Sequence, residues 1–264
     1  MNLLTERLTN NKRRGVSSLV LFLTGGYPTL DSTVDLVLRL EDGGADAVEI
    51  GMPFSDPVAD GSMIQRSSAI ALANGATIPW MLEQVSALHE RTSIPLILMG
   101  YVNPILRYGV DRFFVDAAAA GVDGVILPEV PLGEWERFRT IVEAQHLCGI
   151  LLVAPTTSPA RVRAIDDASS GFLYAVSSTG VTGGAPDGNA MEYIKETQKH
   201  VRKNPMLVGF GISSPDHARN FARLADGVVV GSAFLRALEG GRRASAVAEW
   251  VQTYRVAIDE SVAK

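Results

Sequence analysis

The stretch Gly124–Val153, GVILPEVPLGEWERFRTIVEAQHLCGILLV, decides the fold. It opens on a short apolar run, Gly124–Leu127, and closes on another, Gly149–Val153. Between them, in Glu134–Gln145, the residues Trp135, Phe138, Ile141 and Val142 recur every three or four positions, the period of a helix that buries one face. Strand, helix, strand in that order is a parallel crossover unit. The unit recurs in both directions along the chain. Similar runs lie at Ser18–Leu23, Ala47–Ile50, Leu96–Met99, Phe172–Val176, Met206–Val208 and Gly227–Val230, which brings the number of strands to eight. Helical periodicity returns between them at Ser32–Leu40, Trp80–His89 and Pro215–Leu224. Eight such units in 264 residues predict an α/β fold, a (β/α)8 TIM barrel with extra helices, in a single domain spanning 1–264. An open doubly wound sheet is the alternative.

Local signals fill in the connections. Thr29 or Asp31 starts the helix after strand one. The unit from Pro53 to Ser93 is long enough for a functional loop and two helices, and Ser62 followed by Gln65 reads as a capping box at the start of the first. Val176–Asn189 is rich in Gly, Ser and Thr and reads as a long loop after strand six. Ala244–Ala263 reads as a closing helix. The amino-terminal MNLLTERLTNNKRRG is polar and lacks the apolar core of a signal peptide. No run approaches the length of a membrane span. Cys148 is the one cysteine, so no internal disulfide forms, and the composition suits a reducing cytoplasm. A net charge of −5 argues against nucleic acid as a partner.

A barrel of this type carries its chemistry at the carboxyl ends of its strands. Alternation along strand two turns Ala47 and Glu49 inward if Val48 and Ile50 face the helices. An inward carboxylate among apolar side chains resists ionisation, which suits a group that gives and takes protons near neutral pH. A structural carboxylate held by backbone amides or an arginine is the other reading of Glu49. Asp60 lies in the following loop. It either faces the pocket or caps the helix beginning near Ser62. Gly231-Ser232, before a short helical run, fits an anion site at a helix N-terminus; ordinary turn glycine is the alternative. Gly209-Phe210-Gly211-Ile212-Ser213 lacks the third glycine of a dinucleotide fingerprint and sits on the wrong unit for one. None of Lys12, Lys195, Lys199, Lys203 and Lys264 stands at a strand end, which disfavours a Schiff base. His89, His146, His200 and His217 fall on helices without metal-ligand spacing, so no metal is expected. Carboxylate acid–base chemistry on a phosphorylated small molecule remains.

The run Glu49-Ile50-Gly51-Met52-Pro53-Phe54-Ser55-Asp56-Pro57-Val58-Ala59-Asp60-Gly61 resembles the signature of the tryptophan synthase α subunit family. So do Leu23-Thr24-Gly25-Gly26-Tyr27-Pro28, Ala154-Pro155-Thr156-Thr157, Gly180-Val181-Thr182-Gly183 and Gly209-Phe210-Gly211-Ile212-Ser213, in the family's order. The resemblance implies retro-aldol cleavage of indole-3-glycerol phosphate to indole and glyceraldehyde 3-phosphate. It implies Glu49 as the acid–base group and Asp60 as the partner of the indole N–H. It puts the phosphate at Gly183, Gly211, Gly231 and Ser232. It lines the indole pocket with Phe22, Met99, Tyr101, Ile126, Tyr174, Thr182 and Phe210. It also implies a β subunit as partner in an α2β2 heterotetramer, with pyridoxal phosphate on that partner only. The segment Tyr101–Tyr108 is then either part of the docking surface or a simple loop. A free-standing lyase and a non-catalytic activator of the β subunit are the alternatives. Three positions depart from the family pattern: Ser62 replaces a usual proline, Ile70 a common arginine and Glu129 a usual aspartate. They bear on the stiffness of the loop after strand two and on coupling to the partner.

Overall fold

The computed structural model describes residues 2–177, 188–241 and 244–262. Eight strands form one closed barrel: β1 (Ser18–Thr24), β2 (Ala47–Gly51), β3 (Leu96–Met99), β4 (Gly124–Ile126), β5 (Cys148–Val153), β6 (Leu173–Val176), β7 (Met206–Gly209) and β8 (Gly227–Val230). Each pairs in parallel with the next, and β1 pairs with β8 from Ser18 opposite Gly227 to Leu21 opposite Val230. That last seam closes the sheet and excludes the open alternative. The expected strands are all present, with bounds moved by at most one residue.

The barrel separates its side chains by parity. Val20, Ala47, Ile97, Ile126, Ile150, Phe172, Leu207 and Val229 form an inner cluster. Leu21, Val48, Ile50, Leu98, Val125, Leu151, Val208 and Val230 pack outward against the helices. The unit after β2 contains two helices, Ser62–Ala73 and Ile78–His89, and the chain closes with Val247–Val262 behind a 3-10 turn at Ala244–Ala246. No described helix is long and apolar enough to cross a membrane.

Several local expectations change. The polar amino terminus folds as a helix, Leu3–Arg13. Asn2 caps it by accepting from the amides of Leu4 and Thr5, and its Nδ2 donates to the carbonyls of Asp123 and His146 at the strand starts. Leu4 and Leu8, four residues apart on one face, enter the inner cluster and plug the amino-terminal end of the barrel. Asn11, one turn further, donates to Ser18 Oγ and Asp46 Oδ1. Ser62 is not a cap: Gly61 holds that position without a side-chain bond, and Gln65 Nε2 donates instead to the carbonyl of Asp60 at 2.9 Å. Tyr101–Tyr108 is not a loop but leads into a helix, Val102–Tyr108. His146 and His200 lie just past helix ends, where His146 adopts a positive φ of 58°. Lys203 lies beyond the end of the helix Gly188–Gln198, and its Nζ donates to the carbonyls of Asp167 and Ser169.

Leu8 is fully buried, so Leu8→Ala leaves a hole in the plug. The expected loss is about 2–5 kcal/mol in urea unfolding. A loss below about 1 kcal/mol would mean that the plug is not packed against the barrel.

Candidate active site

At the carboxyl ends of the strands a cavity of about 420 Å³ opens. Phe22, Glu49, Asp60, Ile64, Met99, Tyr174, Phe210, Gly211, Ile212, Val229, Gly231 and Ser232 line it. Glu49 arrives there by strand alternation: Ala47 joins the inner cluster and Glu49, two residues on, faces the cavity between Phe22 of β1 and Ile97 of β3. Its carboxyl is 1% exposed, and among the described residues its Oε2 has no hydrogen-bond partner. Among the described residues neither an amide nor an arginine reaches that oxygen. Burial, and then the charge of Asp60, pushes the Glu49 pKa up to about 8.

Asp60 follows from the loop after β2. It is also buried, and Tyr101 Oη donates to its Oδ2 at 3.1 Å. The same hydroxyl accepts from the Ala59 amide at 3.0 Å, so Tyr101 holds both the aspartate and its loop. Burial raises the Asp60 pKa to about 6, opposed by the Tyr101 hydrogen bond and reinforced by Glu129. Tyr101 itself is pushed upward by burial and by Asp60, which keeps it a donor. Asp60 therefore does not cap the following helix; its side chain is turned to the aromatic wall.

The wall is apolar. Tyr174 and Phe210 meet edge to face at 5.8 Å, and Phe54 lies 5.2 Å from Tyr101 on the outer side. Two glycines make space for these rings. A Cβ at Gly209 would stand 2.2 Å from Tyr174 Oη, and one at Gly51 would stand 2.6 Å from Phe22 Cζ. Tyr101 borders a smaller neighbouring recess with Phe22, Met99 and Asp60. Ile126 does not line the cavity; it is fully covered in the inner cluster, where short β4 ends level with Met99. Ile64, Ile212 and Val229 were not anticipated. Val229 had a signal in the parity of β8, whereas Ile64 reaches the cavity only through the path of the loop before it.

Gly211, Gly231 and Ser232 line the same cavity as the acids. Ser232 opens the helix Ser232–Glu239. The first amides of a helix lack partners in their own helix and attract an anion. Thr182 and Gly183 lie outside the described residues. Glu129 reaches the start of the helix Val102–Tyr108 and accepts from the Val102 amide at 2.5 Å. Ser62 and Ile70 are exposed on the helix after Asp60. Among the described residues no group of three or more His, Cys, Asp or Glu is placed to hold a metal ion.

A family model described as the tryptophan synthase alpha chain matches residues 8–262. The tryptophan synthase alpha chain of Geotalea daltonii is 48% identical over 236 residues, covering 88% of each chain. That of Thermosynechococcus vestitus is 42% identical over 259 residues, covering 97% of each. Among solved structures, tryptophan synthase subunit alpha from Legionella pneumophila is similar with a TM-score of 0.89 and 34% identity, over 98% of this chain and 99% of that one.

The Glu49 carboxyl has a thermodynamic signature. In the folded chain it holds its proton to about pH 8, while the ordinary value is 4.5. Between these values the folded state binds more protons than the unfolded one, so stability falls as pH rises through that window. Glu49→Gln removes this fall, and its Tm advantage over wild type is expected to grow from about pH 5 to about pH 8. Parallel stability curves for the two proteins would show that the carboxyl is not desolvated.

Proposed function

The chain belongs to the tryptophan synthase alpha chain family, whose reaction is the cleavage of indole-3-glycerol phosphate to indole and glyceraldehyde 3-phosphate, and we propose that Glu49 and Asp60 carry that reaction between them. The observation that carries the proposal is the buried carboxyl of Glu49, one oxygen of it unpartnered among the described residues, in a largely apolar cavity that Gly211, Gly231 and Ser232 also line.

With a pKa of about 8, Glu49 is mainly protonated at neutral pH. It gives its proton to C3 of the indole ring. Positive charge then develops on the ring nitrogen, where ionised Asp60 accepts a hydrogen bond from the N–H and balances the charge. The Glu49 carboxylate next takes the proton of the hydroxyl on the carbon attached to C3. That oxygen becomes the aldehyde oxygen, the bond between the two carbons breaks, and its electron pair returns to the ring. The proton taken from the hydroxyl leaves Glu49 ready for another turnover. One carboxyl thus serves as acid and then base, which needs a pKa near the working pH. Tyr101 keeps Asp60 oriented. Phe22, Met99, Tyr174 and Phe210 hold the flat ring and exclude water. Gly211, Gly231 and Ser232, with Gly183 from the undescribed segment, hold the phosphate.

The family context also supports a β subunit as partner in an α2β2 assembly in the cytoplasm. Leu106 is 55% exposed and Val58 is 82% exposed. The helix Val102–Tyr108 also borders a groove lined by Phe54, Leu72, Ile78, Pro104 and Tyr108, an apolar surface suited to docking. Pyridoxal phosphate belongs to that partner in this reading, and among the described residues no lysine lines the cavity.

Glu49→Gln keeps the shape and removes the proton transfer. The turnover number is expected to fall by at least ~10²-fold with KM little changed. Near-normal turnover would refute the assignment. Asp60→Asn is also expected to slow cleavage strongly, and a rate within about threefold of wild type would leave Asp60 without a charge role. Indole release measured with and without a β subunit tests the partner. Stimulation is expected on mixing; rapid turnover alone, unchanged by the addition, would mark a free-standing lyase.

A further inference from the structure

Phe210 is one of two residues other than glycine with a positive φ among the described ones, at 65°, and Gly211 follows at 79°. Glycine adopts this conformation freely, but a phenylalanine is uncommon there and needs its surroundings to hold it. The surroundings come from β6. Ser177, directly after that strand, is 2% exposed. Its amide donates to the Gly209 carbonyl at 3.1 Å, extending the ladder between β6 and β7 by one bond. Its hydroxyl then donates to the next carbonyl, that of Phe210. Where the backbone turns left-handed and leaves the sheet, the side chain continues what the ladder cannot.

A trans peptide is planar, with its C=O and the following N–H pointing in opposite directions. Fixing the Phe210 carbonyl toward Ser177 therefore aims the Gly211 N–H away from Ser177. Ser177 does not line the cavity, whereas Phe210 and Gly211 do. Among the described residues the Gly211 amide has no hydrogen-bond acceptor. We infer that Ser177 is a positioning residue for the anion end of the site: its hydroxyl orients the Phe210–Gly211 peptide so that the Gly211 amide meets the substrate phosphate. This inference rests on the reading that places the phosphate at Gly211, Gly231 and Ser232.

Three variants of the full chain test it. Ser177→Ala removes the hydroxyl. Ser177→Cys keeps the size with only a weak donor, and carries the test if the alanine variant fails to fold. Ser177→Thr keeps the hydroxyl. The measurements are kcat and KM for indole-3-glycerol phosphate, and the competitive inhibition constants of inorganic phosphate and of indole. For the alanine and cysteine variants, KM and the phosphate inhibition constant are expected to rise about tenfold, as for a misdirected hydrogen bond to a charged group. The turnover number is expected to stay within about threefold and the indole constant within about twofold. Threonine is expected to restore phosphate affinity. An unchanged phosphate constant in the cysteine variant, or equal weakening toward phosphate and indole, would overturn the positioning role. Failure of the underlying reading looks different, since wild type would then release no indole and phosphate would not compete with the substrate.

Discussion

The site depends on one costly placement, a carboxyl group turned into the apolar interior of a closed sheet. Strand alternation puts Glu49 there, and the parallel neighbours on both sides of β2 prevent it from turning away. Ionising such a group without a partner is expensive, so the fold keeps it neutral at the pH where a free glutamate is charged. The other features follow from that choice. Asp60 is kept close enough for its charge to raise the Glu49 pKa, yet remains ionised at neutral pH because Tyr101 supports it. Two carboxyls of the same chemistry thereby take different protonation states, the arrangement that acid–base catalysis uses elsewhere.

The barrel was legible because its signal repeats. Eight apolar runs separated by helical periods leave few topologies, and alternation within a single run placed Glu49 on the axis. Asp60 was less certain from its position, since an aspartate before a helix usually caps it; only the path of the loop and the Tyr101 hydroxyl separate the two outcomes. The missed features have physical causes. The helix Leu3–Arg13 is polar on most of its surface, and its two anchoring leucines are too few to stand out from a disordered leader. Ser62 with Gln65 had the spacing of a capping box, but the chain enters that helix through Gly61 and the glutamine bonds backward to the Asp60 carbonyl. The resemblance put Ile126 in the pocket, but it lies fully buried in the inner cluster at the end of short β4. Ser177 carried no motif at all, because its role comes from a neighbouring strand 33 residues away.

Tyr101 joins two parts of the molecule usually described apart. Its hydroxyl reaches Asp60, and its own backbone is the N-cap of the helix Val102–Tyr108. Glu129 holds the first amide of that helix and also bears on the Asp60 pKa. The helix presents Leu106 outward beside the apolar groove. Any rigid shift of the helix moves the donor that orients the aspartate.

The leucine stopper at the amino-terminal end makes the barrel a blind well. There is no back door through the strand axis, so a ring-shaped fragment and a charged three-carbon fragment born at the bottom must share one rim. Traffic over that rim is therefore a queue, and whichever fragment lingers governs when the well is free for another occupant.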